Sequence, residues 1–158
     1  MITRSALFVV GVLFAAASPI LQARAEEPTR IGDMRIETAW ARSSIGATSP
    51  GAAYLTIVNE GVKADRLVAV ETPVAAKAEI HETVNEGGVM KMQPASRIEI
   101  PSGGRVELKP GGLHVMMMGL REPLKRGTTL VLNLTFEKNG SGSLDVPIAG
   151  PGATRPPQ

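Results

Sequence analysis

The sequence predicts an all-β fold, a Greek-key β-sandwich formed by one domain. Beyond Glu26 the apolar residues recur at spacing two, which is the period of half-buried strands. No segment sustains a helical period. The apolar stretches are short and end in Gly, Pro, Asn and Ser clusters, so the chain lacks the long crossovers that parallel pairing requires.

The first 25 residues stand apart from this pattern. Arg4 precedes an apolar run from Ala6 to Ala17, and Ala23-Arg24-Ala25 forms an A-x-A cleavage signature. Residues 1–25 are therefore expected to be a signal peptide for export. The apolar run is shorter than the roughly 20 residues a membrane-spanning helix needs, so no stable membrane insertion is expected after cleavage. Residues 26–148 then form the sandwich domain, and 149–158, which lack apolar periodicity, are expected to be a flexible tail.

The strands follow in order. Residues 35–41 (RIETAWA) place Ile36, Thr38 and Trp40 on one face, with Trp40 expected to fill the core. A loop ending in Ser49-Pro50-Gly51 separates them from 52–58 (AAYLTIV). Strands are then expected at 66–71, 75–84, 89–93, 96–100, 104–109, 113–120, 129–137 and 143–148. The alternation is clearest in Leu130, Leu132, Leu134 and Phe136, which are separated by Val131, Asn133 and Thr135.

Composition excludes several chemistries. With no Cys there is no disulfide, thiolate zinc site, Fe–S cluster, cysteine nucleophile or blue-copper centre. Two histidines cannot supply a three-histidine zinc site. Loss of Arg4 and Arg24 with the leader takes Lys+Arg from 17 to 15, equal to the 15 Asp+Glu, so the mature chain is formally neutral. With only Trp40, Tyr54 and Phe136 as aromatics, it offers neither the charge nor the stacking platform of a nucleic-acid binder. No nucleophile elbow or catalytic motif occurs, and an enzyme is not expected.

Both histidines and five of the six mature methionines fall between residues 81 and 118. Met fills irregular cores, and packing alone accounts for such a cluster unless its members converge. Alternation in 113–120 (LHVMMMGL) sets His114, Met116 and Met118 on one face and Met117 on the other. Asn85-Glu86-Gly87-Gly88 reads as a four-residue hairpin loop, which would set His81 opposite Met92 on a shared face. Glu79 shares the face of His81, and Glu82 points away. Two imidazoles and two thioethers form a soft, neutral donor set that selects Cu(I) over hard cations. Met90 and Met118 share this face by alternation, as spare thioethers or a Met-rich docking surface, with core packing the alternative for each.

The spacing of His81, ten residues, Met92, twenty-one residues, His114, one residue and Met116 resembles the H-x10-M-x21-H-x-M signature of the periplasmic PCuAC-type copper chaperone family. Residues 78–82 (AEIHE), 109–120 (KPGGLHVMMMGL), Trp40-Ala41-Arg42 and 53–57 (AYLTI) are similar to that family as well. The first His is often followed by Met in the family, where Glu82 stands here, and residues 149–158 carry none of the His or Met that enrich the C-terminal extension of some members. The resemblance implies a cupredoxin-like sandwich in the periplasm. It also implies that His81, Met92, His114 and Met116 hold Cu(I) for delivery to an acceptor. The acceptor would be a CuA subunit of cytochrome c oxidase or another copper chaperone. Copper storage or tolerance would use the same site, and a β-sandwich binding module without metal is the alternative if the methionines are core.

Overall fold

The computed structural model describes residues 28–157, so the leader expected over 1–25 lies outside the described residues. Among these there are eleven strands: β1 (Thr29–Ile31), β2 (Met34–Arg42), β3 (Gly51–Asn59), β4 (Asp65–Glu71), β5 (Ala75–Glu86), β6 (Val89–Pro94), β7 (Ile98–Ile100), β8 (Arg105–Leu108), β9 (Leu113–Leu120), β10 (Thr129–Phe136) and β11 (Gly140–Ala149). The short β1, which pairs with β2, has too little alternation to be visible in the sequence. No helix among the described residues is long and apolar enough to cross a membrane.

The strand order is β6-β5-β9-β3-β2-β11-β10-β4-β7, with β8 joined to β3 beyond the end of β9. This ladder folds into two layers at β11. Through Pro147, β11 pairs antiparallel with β10, while Ile148 and Ala149 pair parallel with Ala41 and Arg42 of β2. That parallel pair departs from the fully antiparallel expectation. It needs no local crossover, because the whole domain connects β2 to β11.

The core fills the space between the layers. Leu130, Leu132, Leu134 and Phe136 of β10 are buried, as their alternation predicts. They share one cluster with Ala53, Leu55 and Ile57 of β3, Ile80 of β5, and Val115 and Met117 of β9. Burial of these side chains is the main favourable term in folding such a domain.

Two features depart from simple alternation. A bulge between Ile36 and Thr38 shifts the phase of β2: Ile36 opposes Ile57, but Thr38 opposes Thr56 and Trp40 opposes Tyr54. Trp40 therefore leaves the core face that Ile36 occupies. It is buried in a separate small cluster with Tyr54 and Ala149, against which Ala153 packs. The Trp40 and Tyr54 ring centroids are 4.6 Å apart, and the Arg42 guanidinium lies 5.4 Å from the Tyr54 centroid. Ala149 is the last residue of β11, and beyond it the Arg42 Nε–H donates to the Ala153 carbonyl at 2.7 Å.

The second feature is the buried Asp65 at the start of β4. It accepts hydrogen bonds from the backbone N–H groups of Arg66, Lys138 and Asn139 and from the Asn139 side chain, at 2.7 to 3.0 Å. Burial raises its pKa, but the four hydrogen bonds outweigh burial and hold it below the usual carboxylate value. This corner ties β4 to the β10–β11 turn.

Candidate metal centre

The pairing of β5 with β9 brings the two histidines together. His81 stands directly opposite His114, with Glu79 opposite Met116 and Lys77 opposite Met118. Directly opposed residues project from one face. That face is the outer one, since Ile80, Val115 and Met117 point into the core. Across the sheet, Ala52 of β3 opposes Met116, and Tyr54, two residues on, continues the same face toward Trp40.

The His81 and His114 ring centroids are 6.1 Å apart, and the rings are tilted by 44°. A metal bonded to a ring nitrogen at about 2 Å lies about 3 Å from the ring centroid, so two imidazoles sharing one ion have centroids no more than about 6 Å apart. The observed separation is therefore at the reach of a single shared ion. Both side chains are buried, at 8% and 6% exposure, although they carry polar nitrogens.

Local sequence explains how His114 is held. In Lys109-Pro110-Gly111-Gly112 the Gly112 N–H donates to the Lys109 carbonyl at 3.0 Å, and Gly111 has φ +83°. This is a type II turn, with Pro and Gly where that turn favours them. It presents the Gly112 carbonyl, which accepts from the Thr83 N–H at 3.2 Å and from Nδ1 of His114 at 3.0 Å. A carbonyl only accepts, so Nδ1 carries the proton and Nε2 of His114 keeps its lone pair. On His81, Nε2 lies 3.4 Å from the Glu79 carboxylate, and Nδ1 is buried with no hydrogen-bond partner in the protein.

Met116 is half-buried beside His114, and Met118 continues the row. Met117 is fully buried in the core, on the opposite face. Met92 lies on β6 in a different register from the one expected. Gly87 and Gly88 both have positive φ, 63° and 86°, and form a two-residue hairpin turn closed by Glu86 and Val89. His81 therefore opposes Pro94, and Met92 opposes Thr83. The shift is two residues, so Met92 stays on the face of His81, displaced by one diagonal. It is 63% exposed, and Met90 on the same strand is exposed too. All of β6 lies open to solvent.

Glu79 is the acidic side chain that touches this pair. Its pKa is held below the usual carboxylate value by the hydrogen bond from Lys77, whose Nζ is 2.5 Å away, and secondly by His81. Among the described residues no group of three or more His, Cys, Asp or Glu side chains is placed to hold a metal ion. The sulfur-bearing side chains on the face of the histidines are Met116 on β9 and Met92 on β6, and thioether is a ligand type that favours soft Cu(I). An open groove of about 800 Å³ between β4 and β5 reaches Lys77 and Glu79, but neither histidine lines it.

Comparison with known proteins places the chain. Residues 34–148 match the family described as "LpqE-like: Putative lipoprotein LpqE-like". "Putative lipoprotein Lxx21020" of Leifsonia xyli subsp. xyli (strain CTCB07) is 32% identical over 130 residues, covering 81% of this chain and 77% of that protein. The apo PCuAC domain from PmoF1 superposes with a TM-score of 0.67 at 27% identity, covering 78% of this chain and 99% of that one. The solution structure of CuI-DR1885 from Deinococcus radiodurans gives a TM-score of 0.58 at 26% identity, covering 85% and 89%. The sandwich is thus the cupredoxin-like fold of PCuAC domains. With its β5–β9 histidine pair carried on that fold, the chain belongs to the LpqE-like family and is a relative of the PCuAC domains.

Proposed function

We propose that the protein is an exported copper chaperone that binds one Cu(I) through His81, Met92, His114 and Met116 and hands it to an acceptor protein. The observation that carries this reading is the opposed pair His81–His114, with centroids 6.1 Å apart and a thioether-bearing residue on each flanking strand segment of the same face. By its name, the DR1885 structure holds Cu(I), and it supports the choice of ion.

The donor set suits transfer. Two neutral imidazoles and two neutral thioethers leave Cu⁺ with its positive charge and with no anionic sulfur to hold it. The imidazoles are buried, whereas Met92 stands in solvent, so the site has a sheltered side and an open side. An acceptor ligand can replace the exposed thioether first and the histidines afterwards. A CuA subunit of cytochrome c oxidase, or another copper chaperone, is the acceptor class this reading names. Export fits the donor choice, because Met sulfur, unlike Cys, cannot be lost to disulfide formation in an oxidising compartment. The role is binding and transfer rather than catalysis.

The test is anaerobic transfer from the Cu(I)-loaded protein to an apo CuA domain, followed by the absorption of the product. Transfer that stops when His81 is replaced supports a chaperone. Tight binding without transfer to any copper acceptor points to storage.

A further inference from the structure

Two histidines that share an ion usually need their second ring nitrogens held, since a partner on one nitrogen fixes which of the two is free to ligate. His81 and His114 are held in opposite senses. On His114 the Gly112 carbonyl takes the Nδ1 proton at 3.0 Å, which leaves Nε2 as the lone pair. On His81 the nearest acceptor is Oε2 of Glu79, 3.4 Å from Nε2, while Nδ1 is enclosed and unpartnered. A carboxylate oxygen facing Nε2 serves as its acceptor, which places the proton on Nε2 and leaves Nδ1 its lone pair.

Alternation along β5 builds this arrangement. Lys77, Glu79 and His81 occupy every second position and project from one face, each opposite a residue of the Met118, Met116 and His114 row. The Lys77 ammonium holds Oε1 of Glu79 at 2.5 Å, and the other oxygen faces the imidazole. Lys77 is largely exposed, whereas the His81 ring is not, so the relay runs from solvent to the buried ligand.

We infer that Glu79 is a positioning residue for copper: by accepting the Nε2–H of His81 it makes Nδ1 the ligating atom of His81, while His114 ligates through Nε2. This rests on the copper reading above and assigns the atoms within it. The buried, unpartnered Nδ1 then gains its partner when the ion arrives. The hydrogen bond to Glu79 tightens at the same time, because a metallated imidazole is a stronger N–H donor.

Long-range proton–nitrogen NMR on ¹⁵N-labelled protein reads the tautomers directly. The apo protein is expected to show Nε2–H on His81 and Nδ1–H on His114, and Cu(I) is expected to move the Nδ1 resonance of His81. Glu79→Leu should abolish the His81 tautomer preference and weaken Cu(I) binding by about 10- to 100-fold. Glu79→Gln, whose amide oxygen still accepts Nε2–H, should keep the tautomer and most of the affinity. An Nδ1–H tautomer at His81 in the wild type, Cu(I) on Nε2 of His81, or full affinity in a folded Glu79→Leu protein would each overturn the inference. Wild-type protein that shows the expected tautomers but takes up no Cu(I) would instead overturn the copper reading.

Discussion

His81 on β5 and His114 on β9 are direct cross-strand partners with ring centroids 6.1 Å apart, although 33 positions separate them in sequence. Both are buried on the outer face of a sheet whose inner face is the hydrophobic core. The pair therefore stands on a hydrogen-bonded ladder, next to which Met92 lies on the exposed strand β6. Three expectations, two about this face and one about the Asp65 corner, can be measured separately.

Met92→Leu should leave stability within about 0.5 kcal/mol of wild type, because the side chain is 63% exposed and little packing is lost. Cu(I) affinity should fall, since Leu has no lone pair to offer. Urea denaturation of the apo protein, together with a chelator competition, checks both parts. An apo protein that unfolds on this substitution would return Met92 to packing.

Met116 and Met117 are neighbours with opposite duties. Met117→Ala empties a fully buried position whose terminal methyl lies against Gly51, and it should cost about 2–5 kcal/mol. Its Cu(I) affinity in the folded state should match wild type. Met116→Leu should show the reverse: a stable fold with weakened binding. Equal effects of the two substitutions on affinity would contradict the assignment of faces.

Asp65 makes stability depend on acid. Its folded-state pKa is depressed, so its contribution is complete above the ordinary Asp value of about 4 and is lost as pH falls through the lower native value. Asp65→Ala should cost about 3 kcal/mol at neutral pH, because it orphans the donors of Arg66, Lys138 and Asn139. The gap between wild type and variant should narrow as pH drops below about 4. Denaturant midpoints measured across this range would show it, and a gap that stays constant with pH would refute the linkage.

Much of this was legible from local pattern. The alternation of β10 and the separation of Met117 from Met116 follow from period two alone, because one face of each strand is buried. The face of Met92 was legible, but its register was not. Residues 85–88 have the composition of a four-residue loop, but Gly87 and Gly88 with positive φ close a shorter turn, and Met92 keeps its face because the resulting shift is an even number of residues. Alternation alone sets Trp40 on the core side with Ile36, because the bulge that turns it outward leaves no mark in the sequence pattern. The opposition of His81 to His114 depends on a non-local strand pairing that no turn fixes, so spacing could group the two residues without setting them face to face.

The most direct measurement is an anaerobic Cu(I) titration of residues 26–158 against a chromophoric chelator, with wild type and His114→Ala in parallel. One equivalent bound tightly by wild type, and lost in a folded His114→Ala protein, is the predicted result. Wild type that fails to compete, or a variant that binds as tightly, would contradict a copper site at the histidine pair.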